Sequence, residues 1–162
     1  MAHDLYSQGY KHYHHRHLEP LFHFGAGLSY TTFEYSDLKL SAPVFTDKDV
    51  SITATVTVSN TGAVAGSDVV QLYVTLPSTS ELTHPPLMLK AFAKVRNLAP
   101  GKRETVSLRL DKLAVSYWEE RIGCWVVERG EYLVRVGHSS APEDLAISAK
   151  LVLSKGFEWN GL

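Results

Sequence analysis

The sequence predicts an all-β fold, a sandwich in which about seven or eight short antiparallel strands form two packed layers. Three observations support this prediction. From residue 34 onward, apolar and polar residues alternate in short stretches that are rich in β-branched side chains. Gly, Pro, Asn and Asp bound these stretches, as they do between antiparallel strands. Finally, no stretch of ten or more residues shows the helical period.

The first two clear strands lie between residues 50 and 76. Successive side chains of a strand point to opposite sides, so every second residue shares a face. In VSITATVTVSN, one face is apolar and consists of Ile52, Ala54, Val56 and Val58. In SDVVQLYVTL, both faces are apolar, with Val70, Leu72 and Val74 on one and Val69 and Tyr73 on the other. We therefore expect this second strand to lie in the middle of a sheet.

Three later segments each offer one apolar face. They are RETVSLRL, EYLVRV and LAISAKLVL. Turn-forming residues separate the strands, in the segments NTGAVAG, APGK, ERGE and SSAPED. NTGAVAG lacks the Lys and Ser/Thr of a phosphate-binding loop, so we expect a hairpin-type connection at residues 60–66.

The predicted core is the set of residues that these faces bury against one another. Its members are Ile52, Val56, Val70, Leu72, Val106, Leu108, Trp118, Trp125, Val134 and Ile147. Burying one large aliphatic side chain stabilises a fold by ~1.5–3 kcal/mol, so such a core can hold the chain without a disulfide. Cys124 is the only cysteine, and we expect it to be a small, partly buried apolar residue. Because the cysteine pair of immunoglobulin domains is absent, the pattern favours a fibronectin type III-like sandwich within the immunoglobulin-like class.

Charge and hydropathy argue against two classes of partner. The chain has 16 Lys plus Arg against 17 Asp plus Glu, for a formal net charge of -1. Nucleic acids and anionic membranes are poor partners for such a surface. No apolar run approaches the ~20 residues that span a bilayer. The N-terminus also lacks the apolar core of a signal peptide.

Residues 1–29 do not alternate, and they predict an irregular N-terminal arm. Six of the eight histidines lie in the first 23 residues. The dense run consists of His12, His14, His15 and His17. Imidazoles in such a run can bind Zn²⁺ or Ni²⁺ adventitiously, but a structural zinc site needs further ligands at a distance. Cys124, His84 and His138 show no recognisable ligand spacing, so we expect neither a metal nor a cofactor.

Several motifs, in one order, carry a family resemblance. They are EPLFHFGAGLSYTTFEYSDLKL, VSNTGAVAGSDVVQLYV, HPPLMLKAFAKVRNLAPGKRETVSLRL and YWEERIGCWVVERGEYLVRVGHSS. Together they resemble the C-terminal fibronectin type III-like domain of glycoside hydrolase family 3 enzymes, particularly fungal-type β-glucosidases. The opening segment SQGYKHYHHRHLEPLF is similar to the end of the α/β sandwich domain that precedes it in those enzymes.

The resemblance implies a division of the chain. Residues 1–29 would be an arm that holds the last strand of the preceding domain plus a linker. Residues 30–155 would form the sandwich, and residues 156–162 a C-terminal tail. The partners would be the catalytic barrel and the α/β sandwich domain of the parent enzyme. The resemblance further implies an extracellular enzyme that hydrolyses terminal β-D-glucosides, as in cellulose degradation, with retention.

The resemblance also implies that this chain has no catalytic residue. In the family, the nucleophile is an Asp on the barrel and the acid/base is usually a Glu in the α/β sandwich domain, and neither corresponds to a residue here. The carboxylates of the chain do not suggest a hidden hydrolase either. Glu119 and Glu120 are adjacent, so an extended chain points them apart. Asp68, Asp111 and Glu131 occupy turn or strand-end positions that are typical of solvated charges.

Two sets of candidate functional residues remain. The first is a set of domain-interface candidates that would face the neighbouring domains. It comprises Tyr10 and Tyr13 together with an apolar hinge region of Leu21, Phe22, Phe24, Leu28 and Tyr30. The second is Trp159, in the polar segment KGFEWNGL, which we expect to be the most exposed tryptophan and a candidate for stacking on a ligand. A free-standing module that binds polysaccharide or lignin is therefore the alternative. The long polar loop 77–87 is expected to reach toward a partner.

Overall fold

The structure is a computed structural model that describes residues 8–45, 51–77, 84–145 and 147–161. These residues contain one α-helix, α1 (Tyr10–Arg16), and two short 3-10 helices, Lys112–Val115 and Pro142–Leu145. The strands are β1 (Phe33–Leu40), β2 (Val44–Phe45), β3 (Ser51–Asn60), β4 (Gly66–Thr75), β5 (Met88–Leu98), β6 (Arg103–Asp111), β7 (Tyr117–Glu119), β8 (Cys124–Val127), β9 (Gly130–Gly137), β10 (Ile147–Leu153) and β11 (Phe157–Trp159).

The strands form two large sheets and one small one. The three-stranded sheet has the order β1-β3-β6, and the five-stranded sheet has the order β2-β10-β9-β4-β5. The small sheet, here called the tryptophan sheet, has the order β11-β8-β7. The predicted all-β sandwich is confirmed. One pairing differs from the expected antiparallel pattern, because β2 runs parallel to β10.

The core lies between the two large sheets. On β3, every second residue from Ile52 to Val58 is buried, which confirms the predicted alternation. β4 lies between β9 and β5, as its two apolar faces predicted. Seven of the ten predicted core residues are buried, namely Ile52, Val56, Val70, Leu72, Val106, Leu108 and Val134. Cys124 is buried as well, and this burial raises the pKa of its thiol.

Three predicted core positions are wrong or only half right. Trp118 is 48% exposed, while Trp125 and Ile147 are half-buried. The two tryptophans lie on the tryptophan sheet, so their side chains do not enter the space between the large sheets. The expected C-terminal tail is also part of this sheet, since β11 pairs with β8.

The connection at residues 60–66 is a crossover, so the expected hairpin is wrong. β3 belongs to the three-stranded sheet and β4 to the five-stranded sheet. The buried side chain of Asn60 holds the crossover together: its Nδ2 donates to the carbonyls of Val64 (2.8 Å) and Leu98 (2.7 Å). Its Oδ1 accepts from Thr31 Oγ1 (2.7 Å) and the Gly62 amide (3.0 Å). Buried polar groups require such partners.

The N-terminal arm is helical at first, where the resemblance implied a strand. α1 has seven residues and no side-chain cap at Gly9. Isolated helices of this length are not stable in water, so contacts with the sandwich must support α1. Within the described residues, no helix is long and apolar enough to cross a membrane.

Candidate functional site

Tyr10 fastens the arm to the outer face of the five-stranded sheet. Its hydroxyl accepts a hydrogen bond from the Leu89 amide at 2.7 Å, and its ring stacks on Phe24 with centroids 4.6 Å apart. The ring of Tyr73 is nearly perpendicular to that of Tyr10, and their centroids are 6.1 Å apart. Burial raises the pKa of Tyr10. This candidate interface residue therefore packs mainly within its own chain.

Gln71 provides a second attachment point. It accepts a hydrogen bond from Tyr73 Oη at 2.6 Å, and its Nε2 donates to the carbonyl oxygens of His138 and Gly25. A third attachment is the Ser140 amide, which donates to the Phe24 carbonyl at 2.8 Å. The segment that follows α1 is thus bound along the sheet.

The other candidate interface residues are exposed. Leu21, Phe22, Leu28 and Tyr30 have exposed fractions of 90%, 80%, 108% and 102%. Phe24 is about half exposed, because one side of its ring is covered by Tyr10. We call Leu21, Phe22, Phe24, Leu28 and Tyr30 the arm face. Several large apolar side chains that are exposed within one short segment are typical of a surface that contacts another protein surface.

A groove of about 560 Å³ lies between α1 and residues 17–24, and Ser140 and Pro142 also line it. Tyr13 and Phe22 contribute apolar surface to the groove, and His14 and His23 contribute imidazoles with ring centroids 6.3 Å apart. Burial lowers the pKa of His14, and the neighbouring His23 lowers it further.

The histidine run does not converge on one point. Among the described residues, no three His, Cys, Asp or Glu side chains are placed to hold a metal ion. His12, His15 and His17 are exposed. His23 Nε2 lies 3.3 Å from Glu19 Oε1.

The tryptophan sheet carries an aromatic cluster, but Trp159 is not its most exposed member, so that expectation is wrong. Trp159 is stacked on Trp125 at 5.7 Å, and Lys112 Nζ lies 4.0 Å from its ring centroid. Its Nε1 donates to Ser116 Oγ at 3.0 Å. Trp118, edge-on to Trp125 at 5.6 Å, is the exposed ring. A ligand-stacking role of Trp159 stays a prediction.

The carboxylates have structural or solvated roles. Glu119 forms an ion pair with Arg121, with Oε1 and Nε 3.0 Å apart, and the hydrogen bonds from Arg121 lower the pKa of Glu119. The acid of a glycosidase needs a raised pKa instead. Asp68 was expected to be solvated, but it is half-buried and accepts a hydrogen bond from Tyr35 Oη at 2.5 Å.

Asp111 and Glu131 also have partners within the chain. Asp111 caps the first 3-10 helix by accepting from the Ala114 amide at 3.0 Å. Glu131 pairs with Lys150 at 3.0 Å on the exposed side of the sheet. Residues 78–83 of the loop 77–87 lie outside the described part of the chain.

Comparison with known proteins identifies the domain. Residues 68–140 match the model of the fibronectin type III-like domain family. Probable β-glucosidase I of Aspergillus terreus is 43% identical over 159 residues, which are 95% of this chain and 18% of the relative. The structure of β-glucosidase 3B from Thermotoga neapolitana in complex with α-D-glucose matches with a TM-score of 0.84 and 36% identity, over 96% of this chain and 20% of that one.

A third match names the enzyme family. The GH3 β-glucosidase of Bifidobacterium adolescentis has a TM-score of 0.81 and 35% identity, over 93% of this chain and 21% of that one. The chain thus spans about a fifth of the length of the relatives that it matches. It belongs to the fibronectin type III-like domain family, and nearly its whole length is similar to one segment of family 3 β-glucosidases.

Proposed function

We propose that this chain is the non-catalytic, C-terminal accessory domain of a family 3 β-glucosidase and that it holds the catalytic domains in position. The observation that carries the proposal is the arm face, in which Leu21, Phe22, Leu28 and Tyr30 are almost fully exposed. Covering each such side chain contributes ~1.5–3 kcal/mol. The barrel and the α/β sandwich domain of the parent enzyme are the proposed covering surfaces.

The proposal includes the chemistry of the parent enzyme. That enzyme would release glucose from terminal β-D-glucosides with retention, and it would act outside the cell. The catalytic carboxylates of that enzyme would lie in the remaining four-fifths of the polypeptide, because this chain corresponds to only about a fifth of each matched relative. We further propose residues 1–29 as the arm and residues 30–155 as the sandwich.

The test uses the parent enzyme and the 162-residue chain side by side. Replacing Leu28 and Tyr30 together by Ser should lower the apparent Tm and the aryl β-glucosidase activity of the parent enzyme. It should leave the Tm of the chain unchanged, because both side chains are exposed there. The matched control is Val64→Ser with Ile122→Ser, at two exposed apolar positions that do not belong to the arm face. An enzyme that keeps full stability and activity after removal of residues 30–155 would disprove the proposal.

A second candidate function is a module that binds polysaccharide or lignin. The exposed ring of Trp118 favours it, since flat aromatic surfaces stack on apolar faces of ligands. Retention of the chain on cellulose or lignin that is lost with Trp118→Ala, or with a Trp159→Ala chain shown to be folded by circular dichroism, would support this function. If the wild-type chain is not retained, only the accessory-domain function is left.

A further inference from the structure

Phe92 is exposed on a sheet face that the arm covers only in part. The residue lies in the middle of β5, and its exposed fraction is 71%. No other large apolar side chain in the described strands is as exposed. Single exposed apolar residues are common in folded proteins. The surroundings of Phe92 therefore decide whether its exposure has a meaning.

Phe92 lies beside the arm, on the outer face of the five-stranded sheet. Residues that are directly opposite each other in an antiparallel pair point to the same face. Phe92 is opposite Gln71, whose side chain reaches the Gly25 carbonyl on the outer side of the sheet. Three residues earlier on β5, the Leu89 amide donates to the Tyr10 hydroxyl at 2.7 Å. Phe92 is thus next to two attachment points of the arm and is not covered by it.

The strand that carries Phe92 is positively charged. The sequence of β5, MLKAFAKVRNL, contains three basic residues and no acidic one. Two of the basic residues, Lys94 and Arg96, are exposed. The one acidic residue of the neighbouring β4 is Asp68, which is half-buried and already accepts a hydrogen bond from a tyrosine. The arm segment 24–32, FGAGLSYTT, has no charged residue. This surface therefore suits a partner that brings an apolar side chain together with a carboxylate.

The attachment of the arm indicates which partner reaches this surface. In the parent enzyme of the proposed function, the preceding polypeptide joins this chain ahead of α1, and Tyr10 of α1 lies on the same sheet face as Phe92. Leu89, which binds Tyr10, is only about 10 Å from Phe92 along β5. A domain that is tethered so close to Phe92 meets it at a high effective concentration, whereas a separate molecule does not. The matched relatives contain such additional polypeptide, since this chain corresponds to about a fifth of each.

We propose that the domain preceding this chain in the parent enzyme packs on the outer face of β5, with an apolar side chain against Phe92 and a carboxylate beside Lys94. This contact adds a strand of the sandwich to the surface that the proposed function assigns to the arm face. The inference rests on the proposed function, because the occupant is a domain of the parent enzyme.

Hydroxyl-radical footprinting, followed by mass spectrometry, measures the exposure of Phe92 without a substitution. Phe92 should be oxidised about fivefold more slowly in the parent enzyme than in the 162-residue chain, because the centre of a domain contact is packed like a protein interior. A reporter peptide added to both samples corrects for the radical dose. Equal oxidation of Phe92 in the two proteins would overturn the inference. Protection of Phe92 in the isolated chain that increases with its concentration would assign the surface to a second copy and would overturn the inference as well.

One substitution tests the apolar part of the contact. Phe92→Thr keeps a residue that favours strands, so the Tm of the 162-residue chain should change by less than about 2 °C. The apparent Tm of the parent enzyme should fall by about 2–6 °C, because the buried ring is lost there. Ile122→Thr, at an exposed position between β7 and β8, is the control and should change neither protein. The same shift for Phe92→Thr in both proteins would contradict the inference.

A second substitution tests the charged part of the contact. Lys94→Glu should lower the apparent Tm of the parent enzyme and leave the chain unchanged. The effect should shrink in about 1 M NaCl, because salt screens charges. Lys39→Glu, at an exposed position of β1 in the other large sheet, is the control. A parent enzyme that is indifferent to Lys94→Glu would show that no carboxylate lies beside Lys94.

The inference and the proposed function fail in different ways. If the double replacement of Leu28 and Tyr30 weakens the parent enzyme but Phe92 is oxidised equally in both proteins, the contact at β5 is wrong and the accessory role stands. If removal of residues 30–155 leaves the parent enzyme fully stable and active, both are wrong.

Discussion

Gly25 and Gln71 are in direct contact above the five-stranded sheet. Gln71 Nε2 lies 3.4 Å from the Gly25 carbonyl oxygen, and the side-chain amide occupies the position that a Cβ at Gly25 would take. Gly25 also has a φ of +82°, in the left-handed region. The arm can therefore follow the sheet closely only because residue 25 has no side chain.

Gly25→Ala should weaken the attachment of the arm by about 1–2 kcal/mol, because the added methyl group meets Gln71 and the backbone is strained. The measurement is hydrogen exchange at the Ser140 amide, which should become faster since this amide donates to the Phe24 carbonyl. Gly27→Ala is the control: in the described structure nothing lies within 4 Å of a Cβ there. Equal exchange in the two variants would contradict the role of this contact.

Asn60→Ala should destabilise the domain by about 2–3 kcal/mol, because four hydrogen-bonding groups around the crossover lose a partner. Urea unfolding followed by tryptophan fluorescence measures this loss. Asn160→Ala, at an exposed position after β11, should change the stability by less than about 0.5 kcal/mol. A loss of similar size in both variants would mean that the Asn60 network is not what holds the crossover.

Trp159→Ala should cost about 2–4 kcal/mol of unfolding free energy, because its ring fills the space between Trp125 and Lys112. Trp118→Ala is the matched variant, and it should cost less than about 1 kcal/mol since nearly half of that side chain is exposed. Chemical unfolding followed by circular dichroism compares the two. The reverse order of the two costs would show that the cluster is packed differently.

The stability of the domain should fall as the pH drops below the ordinary histidine pKa of 6.5. His84 is packed on Tyr117 at 4.6 Å and lies 3.4 Å from Glu128 Oε2, with Lys90 nearby. Burial lowers the pKa of His84, and Glu128 offsets this only in part. The folded state therefore binds fewer protons than the unfolded state in this range, so stability is full above pH 6.5 and declines below it.

The experiment compares unfolding free energies at about pH 7.5 and about pH 5.5, where histidines change charge. His84→Gln should reduce the pH-dependent loss, while His15→Gln, at an exposed position of α1, should not. Part of the loss should persist in His84→Gln, because burial also lowers the pKa of His14. A pH dependence that His84→Gln leaves unchanged would rule out His84 as its source.

The local sequence pattern was sufficient to predict the strand faces and the all-β class of this fold. The period of two in β3 identified which of its residues are buried, because a strand places alternate side chains on opposite faces whatever its neighbours are. The two apolar faces of β4 indicated that it lies inside a sheet. The ordered motifs likewise indicated the domain family. Even the exposure of Leu28 and Tyr30 was consistent with a segment that lies outside the alternating region.

Other features depended on which strands pair and which surfaces meet. The residues of segment 60–66 predict a hairpin-type turn. The segment instead crosses from one sheet to the other, because β3 and β4 belong to different sheets. Trp118 was expected in the core and Trp159 at the surface, but Trp118 is the exposed ring. Trp159 is packed because β11 pairs with β8 and brings it against Trp125. The sequence gives no signal for Ser140 either, because its burial and the lack of a hydrogen-bond partner for its Oγ among the described residues depend on its neighbours in space. Sequence alone thus determined the faces of the strands, which are local, whereas long-range contacts decided how those faces and the arm come together.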